Sequence, residues 1–278
     1  MSEISDTTLG IHPIFLAGPK THVDVPMSTA PEGGLRFSPL ILLSSGRMTF
    51  CGLDAAAEAV PTSLQSAEEG GENAGGARQR IIRTLGAASL FPPDLLDLHV
   101  PLPVRSLVRD VGLADFLREA GRVHAIRPAR LVVEVSNPPP ETRPGCFAAV
   151  ERLRSAGIRV ALELTGGIQA EALLEIRPDY LRIGGPFLPR GPSDFFRLAL
   201  LDVVCDLAWK FGAAVVVSGV GTDEELSILR CRDVRLAQGP FFSKPLAPRK
   251  LLEPDFLGRF PFPSPLVAGE GGAPTGLP

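Results

Sequence analysis

The chain has 278 residues and a formal net charge of -3, with 45% hydrophobic and 21% charged residues. This composition is typical of a globular protein with a substantial core and excludes a disordered chain. The charge provides no basic field for nucleic acid, and no apolar run reaches the ~20 residues that a membrane span needs. The four cysteines form no Cys-x-x-Cys pair, which predicts reduced thiols and a cytoplasmic location.

The amino-terminal third begins without periodicity. Residues 1–34 carry scattered prolines and a terminal glycine pair, so we predict a disordered leader there. Apolar runs follow at 35–43 and 48–53. Because only a short polar turn joins these runs, the two strands must be antiparallel.

The next segments predict helices around one more strand. Residues 55–60 could start a helix, and the glycine-rich stretch 63–76 is typical of a mobile surface loop. Helices are expected over 77–90 and 107–119, on either side of a strand at 95–100. The alternation of that strand places Asp97 and His99 on one face.

From residue 131 the chain alternates between short branched apolar runs and longer segments with helical spacing. The apolar runs are those of strands buried on both faces and lie at 131–135, 158–162, 180–183, 213–217 and 234–237. The helical segments lie at 147–156, 168–176, 193–211 and 222–230. Parallel strands need such crossovers, so the pattern indicates either a β/α barrel or a doubly wound sheet. A last helix is expected within 248–260, followed by a disordered tail over 261–278.

Read as strand ends, the turns resemble those of the EAL domain, the bacterial family of cyclic di-GMP phosphodiesterases. The similarity extends from about residue 35 to 248, and its best-matched segments are 37–41, 159–162, 219–222 and 238–245. The resemblance implies a single modified TIM-like (β/α) barrel over 35–260, in which the first strand is antiparallel.

The resemblance also implies a site at the strand ends, where active members hold two divalent metals. The positions that correspond to this family site are Asp54, His99, Glu134, Glu163, Arg182 and Gln238. Glu134 and Gln238 match the family pattern. Asp54 stands for the glutamate of Glu-Ala-Leu, His99 for an asparagine, Glu163 for the first of two aspartates, and Arg182 for a lysine.

Other family ligands are replaced by residues that cannot hold a cation. These are Leu164, Gly184, Ser218 and Gly221. Arg182 stays protonated at any working pH, so it cannot replace a compact lysine that positions a water. Since two-metal hydrolysis needs ligands for both cations, we predict a vestigial site without catalytic residues and assign no ligand-binding residues.

Two interpretations of the remaining polar set stay open. In the first, no cofactor is bound, and Arg182 neutralises Glu134 or Glu163 in a buried ion pair. In the second, a single divalent ion, Mg or Mn, is held by Asp54, His99, Glu134 and Glu163.

The resemblance leaves three functions to compare. The first is a pseudoenzyme in bacterial signalling that acts on an unidentified protein partner. The second is a receptor that binds cyclic di-GMP without cutting it, and the third is an active phosphodiesterase with altered metal ligands. We expect no nucleic-acid partner and no membrane span.

Overall fold

The described residues form a closed barrel of eight strands. A computed structural model describes residues 35–44, 47–56, 74–92, 94–136, 138–164, 168 and 170–263. The first two strands pair antiparallel, and the pairs from the second strand to the eighth are parallel. The first strand also closes the barrel by antiparallel pairing with the eighth. The predicted TIM-like barrel with an antiparallel first strand is therefore confirmed.

The strands lie within two residues of most predicted bounds. They are β1 (Arg36–Ser44), β2 (Arg47–Ala56), β3 (Asp97–Pro101), β4 (Leu131–Ser136), β5 (Arg159–Glu163), β6 (Tyr180–Ile183), β7 (Ala214–Ser218) and β8 (Leu236–Gln238).

Helices follow the parallel strands as crossover connections. They are α1 (Ala74–Ala88), α2 (Val104–Arg109), α3 (Leu113–Val123), α4 (Arg143–Ser155), α5 (Ala170–Ile176), α6 (Phe195–Phe211), α7 (Asp223–Arg230), α8 (Pro248–Leu251) and α9 (Pro254–Arg259). None of the described helices has the length and hydropathy needed to cross a bilayer.

Three helix predictions were wrong in part. Residues 55 and 56 continue strand β2 instead of starting a helix. The predicted helix 107–119 is two helices, α2 and α3, because the backbone of Asp110 leaves the helical region (φ -100°, ψ 87°). Asp110 also accepts from Nε and Nη2 of Arg78, each at 2.7 Å. The predicted helix 248–260 is also divided, since Pro254 restricts Glu253 to an extended conformation that ends α8.

The predicted leader (1–34) and most of the predicted loop (63–76) and tail (261–278) lie outside the described residues. The predicted loop's last three residues begin α1. At the tail boundary, Phe50 N donates to Pro261 O at 2.9 Å, and the rings of Phe50 and Phe262 stack with centroids 5.6 Å apart. Packing on the barrel thus continues at least two residues beyond the predicted domain end at 260. The domain limits otherwise stay a prediction.

Apolar residues form two separate layers in the fold. The larger layer lies between the barrel and its helices and includes Phe37, Phe50 and Leu181. A much smaller cluster lies inside the barrel and consists of Leu40, Val132, Ala161, Tyr180 and Val216. Because the interior contains so few apolar side chains, polar residues occupy the space toward both ends of the barrel.

Gly239 fixes the end of β8, next to Gln238. Its φ is +150°, and a Cβ added there would lie 2.3 Å from both the backbone N and O of Val220. The close approach lets Gln238 O accept hydrogen bonds from Gly219 N (2.9 Å) and Val220 N (3.1 Å). The β7 and β8 ends are therefore joined through backbone that only glycine fits.

We expect Gly239→Ala to lower the free energy of unfolding by about 1–3 kcal/mol, the usual range for a strained backbone position. The measurement is urea denaturation. Gly258→Ala is the matched control, because a Cβ added to Gly258 in α9 meets open space. Alanine there should be neutral or stabilise by up to about 1 kcal/mol. Equal effects of the two substitutions would contradict the close approach seen at Gly239.

Candidate functional site

Five of the six predicted site residues form one bonded network inside the barrel. We call Asp54, His99, Glu134, Arg182 and Gln238 the mouth cluster. They come from five different strands, β2, β3, β4, β6 and β8. Each occupies an inward position, and the strand register places Asp54 beside His99 and Ser218 beside Gln238. Strand alternation and barrel closure therefore bring together residues that are far apart in sequence.

Arg182 lies at the centre of the mouth cluster. Its Nη1 donates to Glu134 Oε1 and its Nη2 donates to Asp54 Oδ2. The Arg182 residue is only 4% exposed, and Glu134 is 3% exposed. One guanidinium on β6 thus bridges two buried carboxylates from β2 and β4, neither of which pairs with β6. The sequence indicated a pairing with Glu134 or Glu163, but not the second contact to Asp54.

His99 and Gln238 complete the hydrogen bonding of the two carboxylates. Gln238 Nε2 donates to Asp54 Oδ2 at 3.0 Å. The His99 ring is fully buried, and its Nδ1 lies 2.8 Å from Glu134 Oε1. Since an ionised carboxylate can only accept, Nδ1 carries the proton in this contact. Glu134 Oε1 therefore accepts from two donors at once.

Glu163 lies beside the mouth cluster, at the end of strand β5. The register of β5 and β6 pairs it with Arg182, whose pKa it helps to raise. The next residue, Leu164, is 3% exposed and donates its backbone N to Arg182 O at 2.9 Å. An aliphatic side chain therefore occupies the position where the family pattern has its second aspartate.

Burial and charge act in opposite directions on the pKa values of the mouth cluster. Burial alone would raise the pKa of Glu134, but Arg182 and His99 together lower it below its ordinary value. Burial also opposes the charge of Arg182, yet Asp54 and Glu134 raise the pKa of the guanidinium further. For Asp54, burial dominates and raises its pKa, with Arg182 opposing. Arg182 and Glu134 therefore form the firmly charged pair, and Asp54 takes up a proton more readily.

A second polar network lies toward the amino ends of the strands. We call Asp97, Arg130, Arg159 and Tyr180 the base cluster. Asp97 Oδ1 lies 3.0 Å from Arg130 Nη1 and 2.5 Å from Arg159 Nη2. Tyr180 OH donates to Asp97 Oδ2 at 2.9 Å and accepts from Arg159 Nη1 at 2.5 Å. We interpret the base cluster as a contribution to stability, since in β/α barrels the chemistry takes place at the opposite, carboxyl-terminal end of the strands.

The two clusters meet at one aromatic contact. The rings of His99 and Tyr180 lie 5.2 Å apart, inclined at 61°. Asp97 and His99 are thus on the same face of β3, as the alternation indicated. Sequence reasoning did not single out Arg159 or Tyr180. The same two-residue period would have found them, because they precede Glu163 and Arg182 by four and two residues.

The residues present do not fit a pair of divalent cations. A divalent cation would need lone pairs of Asp54 and Glu134. One oxygen of each carboxylate is already bonded: Asp54 Oδ2 accepts from Arg182 and Gln238, and Glu134 Oε1 accepts from Arg182 and His99. Within the described parts of the chain, no three His, Cys, Asp or Glu side chains are grouped so that they could hold a metal. Arg182, a permanent cation, already bridges these two carboxylates.

Two of the known proteins that this chain resembles are named as cyclic di-GMP phosphodiesterases. The probable cyclic di-GMP phosphodiesterase PdeG of Escherichia coli K12 is 31% identical over 123 residues, which cover 43% of this chain and 24% of that protein. The curated relatives are longer proteins, and the region that matches this chain covers between 13% and 24% of their length.

Solved structures share the fold at lower identity. The EAL enzyme Bd1971, in its form bound to cAMP and cyclic di-GMP, matches with a TM-score of 0.69 and 18% identity. The matched region covers 79% of this chain and 63% of the Bd1971 chain. The manganese and cyclic di-GMP complex of Klebsiella pneumoniae BlrP1 at pH 6 matches with a TM-score of 0.64 and 20% identity. The matched region covers 76% of this chain and 55% of the BlrP1 chain.

The sequence profile of the EAL domain matches residues 62–245, about two thirds of the chain. The matched region includes strands β3 to β8 of the barrel, and with them His99, Glu134, Arg182 and Gln238. The chain therefore belongs to the EAL domain family.

Proposed function

We propose that this EAL domain does not hydrolyse cyclic di-GMP and that it acts in bacterial signalling through contact with another protein. The observation that carries the proposal is the Arg182 guanidinium, which bridges Asp54 and Glu134 inside the barrel. The relatives named as cyclic di-GMP phosphodiesterases supply the reaction that we propose this chain has lost.

Arg182 opposes hydrolysis for two physical reasons. Two-metal hydrolysis needs adjacent cations that stabilise the attacking and the leaving oxygen of the phosphodiester. A planar guanidinium stays protonated and presents only donors, so it neither ligates a cation nor accepts a proton from water. Any cation that enters must displace two charge-assisted hydrogen bonds in a buried site, where a charge without its partner is costly.

Substitutions around Arg182 support the same conclusion. Leu164 is buried and offers no lone pair, and Gly184, Ser218 and Gly221 replace charged family positions. An enzyme lowers its barrier by at least ~8 kcal/mol, and no other described group at the barrel mouth supplies comparable activation of a nucleophile. With the chemistry removed, the barrel surface remains available as a docking platform for a protein.

The direct test is incubation of the purified full chain with cyclic di-GMP in Mg²⁺ or Mn²⁺, with an active EAL enzyme assayed in parallel. We expect no linear dinucleotide above background. Glu134→Ala is the matched control, because a trace activity that persists in this variant comes from a contaminant. Activity in the unmodified chain that disappears in Glu134→Ala overturns the proposal.

Calorimetry with the same nucleotide distinguishes a cyclic di-GMP receptor from a protein that acts through protein contact alone. A Kd below ~10 µM, near -7 kcal/mol, without turnover assigns the chain as a cyclic di-GMP receptor. Binding weaker than this leaves protein contact as the function. The absence of a specific partner in a pull-down from the native host would then contradict the docking role.

A further inference from the structure

Helix α1 is amphipathic, and its polar side is basic. The side chains that α1 buries against the barrel are apolar and recur at helical spacing: Ala77, Ile81, Leu85 and Ala88. The rest of the helix includes three arginines, and α1 contains neither Asp nor Glu. An amphipathic helix with basic residues of this kind is typical of a contact with an anionic surface.

Helices α2 and α3 lie beside α1. Arg78 of α1 donates to Asp110 at the end of α2, and its guanidinium lies 4.8 Å from the centre of the Phe116 ring in α3. Further along α1, a Cβ added to Gly86 would lie 3.5 Å from Cε1 of His124, which follows α3. The helices α1 and α3 therefore run side by side over about 12 Å, and their exposed residues share one surface.

Exposed aliphatic side chains are distributed along this pair of helices. Val111, which follows Asp110, is 66% exposed, and Val123, which precedes His124, is 64% exposed. Ile82, between these two positions on α1, is 47% exposed. Three aliphatic side chains thus form an apolar strip that remains in contact with water, and covering the strip would be favourable.

Positive charge surrounds the apolar strip. With Asp110 at the end of α2, the three helices contain seven arginines and three carboxylates, whereas the whole chain has a net charge of -3. Each of the carboxylates, Asp110, Asp115 and Glu119, is paired with one arginine of the same helices. A solvated helix surface usually mixes both signs, so a surplus of four positive charges indicates an anionic partner.

Three of these arginines are available for such a partner. Arg83, Arg105 and Arg109 are exposed, and no ion pair among the described residues includes them. We call the surface that joins them to the apolar strip the α1–α3 face. It consists of Ile82, Arg83, Arg105, Arg109, Val111 and Val123.

We propose that the α1–α3 face is a peripheral contact with a lipid bilayer that contains anionic lipids. Guanidinium groups bind phosphates through paired donors, and aliphatic side chains enter the boundary between head groups and acyl chains. The outer sides of crossover helices form a convex surface, which fits a bilayer better than a protein that must hold its anchors in pockets. The proposal does not depend on the loss of hydrolysis, because no residue of this face belongs to the mouth cluster.

The first test is sedimentation of the full chain with phosphatidylcholine vesicles that contain or lack phosphatidylglycerol. We expect the chain to sediment with the anionic vesicles alone. It should be released when the salt is raised from about 0.1 M to about 0.5 M, because salt screens the attraction. Arg83→Glu with Arg105→Glu should weaken the partition at least about 25-fold, since each cation near an anionic membrane contributes about fivefold.

The matched control is Arg230→Glu with Arg235→Glu, which changes the net charge by the same amount. Both arginines are exposed and lie between β7 and β8, across the barrel from β2 and β3, which α1, α2 and α3 follow. This variant should stay within about twofold of the wild type, because its changed charges lie further than a Debye length of about 10 Å from the bilayer. Circular dichroism should show that both variants are folded.

Tryptophan fluorescence tests the apolar part of the contact. Trp209 is the only tryptophan of the chain and lies on α6, where it is 74% exposed. Its emission should stay unchanged on the anionic vesicles. In Trp209→Phe with Ile82→Trp, the emission should shift to shorter wavelength, because the indole at position 82 leaves water for the membrane interface.

The proposal is overturned if the chain does not sediment with phosphatidylglycerol vesicles, or if the Arg230, Arg235 variant loses as much binding as the Arg83, Arg105 variant. An unchanged emission of the Ile82→Trp variant on bound vesicles also contradicts it. Retention of the chain on immobilised poly-glutamate without vesicle binding, weakened by Arg83→Glu with Arg105→Glu, would assign the α1–α3 face to an acidic protein instead of a bilayer.

Discussion

Arg182→Ala should lower the free energy of unfolding by about 3–5 kcal/mol in metal-free buffer, because it leaves two buried carboxylates without their cation. Asp54 and Glu134 are both held by this guanidinium. The raised pKa of Asp54 lets that carboxyl take up a proton, which limits the loss to this range and does not remove it. Chemical denaturation of the wild type and the variant measures the difference.

The same variant should also acquire a response to divalent cations. Removing the guanidinium opens a space between two carboxylates, and Mn²⁺ at 100 times its Kd would restore about 2.7 kcal/mol by mass action. The wild type should show the same stability in Mn²⁺ and in EDTA. A Glu134→Gln substitution added to Arg182→Ala should abolish the response, since the second carboxylate is then gone.

Arg159→Ala provides the matched control for the cation response. It also removes an arginine from inside the barrel, but that arginine pairs with one carboxylate, Asp97. The control should lose stability and gain nothing from Mn²⁺. If Mn²⁺ stabilises the wild type as strongly as Arg182→Ala, then Arg182 does not act as the resident cation. If Mn²⁺ leaves Arg182→Ala unchanged, Asp54 and Glu134 do not form a cation site.

The barrel could be predicted from sequence because its signals are local and repeated. Short branched runs such as 131–135 and 180–183 are buried on both faces, and each is followed by a helix. Local signals fail where a tertiary contact decides. The break between α2 and α3 lies at Asp110, which bonds Arg78 of α1 at a separation of 32 positions, and no window around 107–119 contains this contact.

At the site, the sequence identified most of the residues but not the contacts between them. Strand-end position and family resemblance selected Asp54, His99, Glu134, Arg182 and Gln238. Which carboxylates Arg182 bridges depends on the register of nonadjacent strands, since β2, β4 and β6 all contribute. The base cluster went unrecognised because Arg159 and Tyr180 begin their strands, where sequence reasoning did not look for function.

We expect the base cluster to show its contribution to stability as a pH dependence. Burial alone would raise the pKa of Asp97, but Arg159, His99 and Arg130 lower it below its ordinary value. A carboxyl with a lowered folded pKa stabilises the fold fully above its unfolded pKa of about 3.9 and loses that contribution as the pH falls through the folded pKa. The contribution should therefore be complete above about pH 5 and decline in more acidic solution.

Asp97→Asn isolates this effect, because the amide keeps the size of the side chain and removes its charge. At pH 7 the variant should be about 3–5 kcal/mol less stable, since Arg159 and Arg130 then face a neutral group inside the barrel. Urea denaturation at pH 7, 5 and 3.5 should show a constant difference between the first two values and a smaller one at the third. Asp115→Asn is the matched control, because Asp115 forms an exposed pair with Arg118. Its effect should stay within about 1 kcal/mol. A difference for Asp97→Asn that is absent at pH 7, or that grows in acid, would show that this carboxylate does not hold the base of the barrel together.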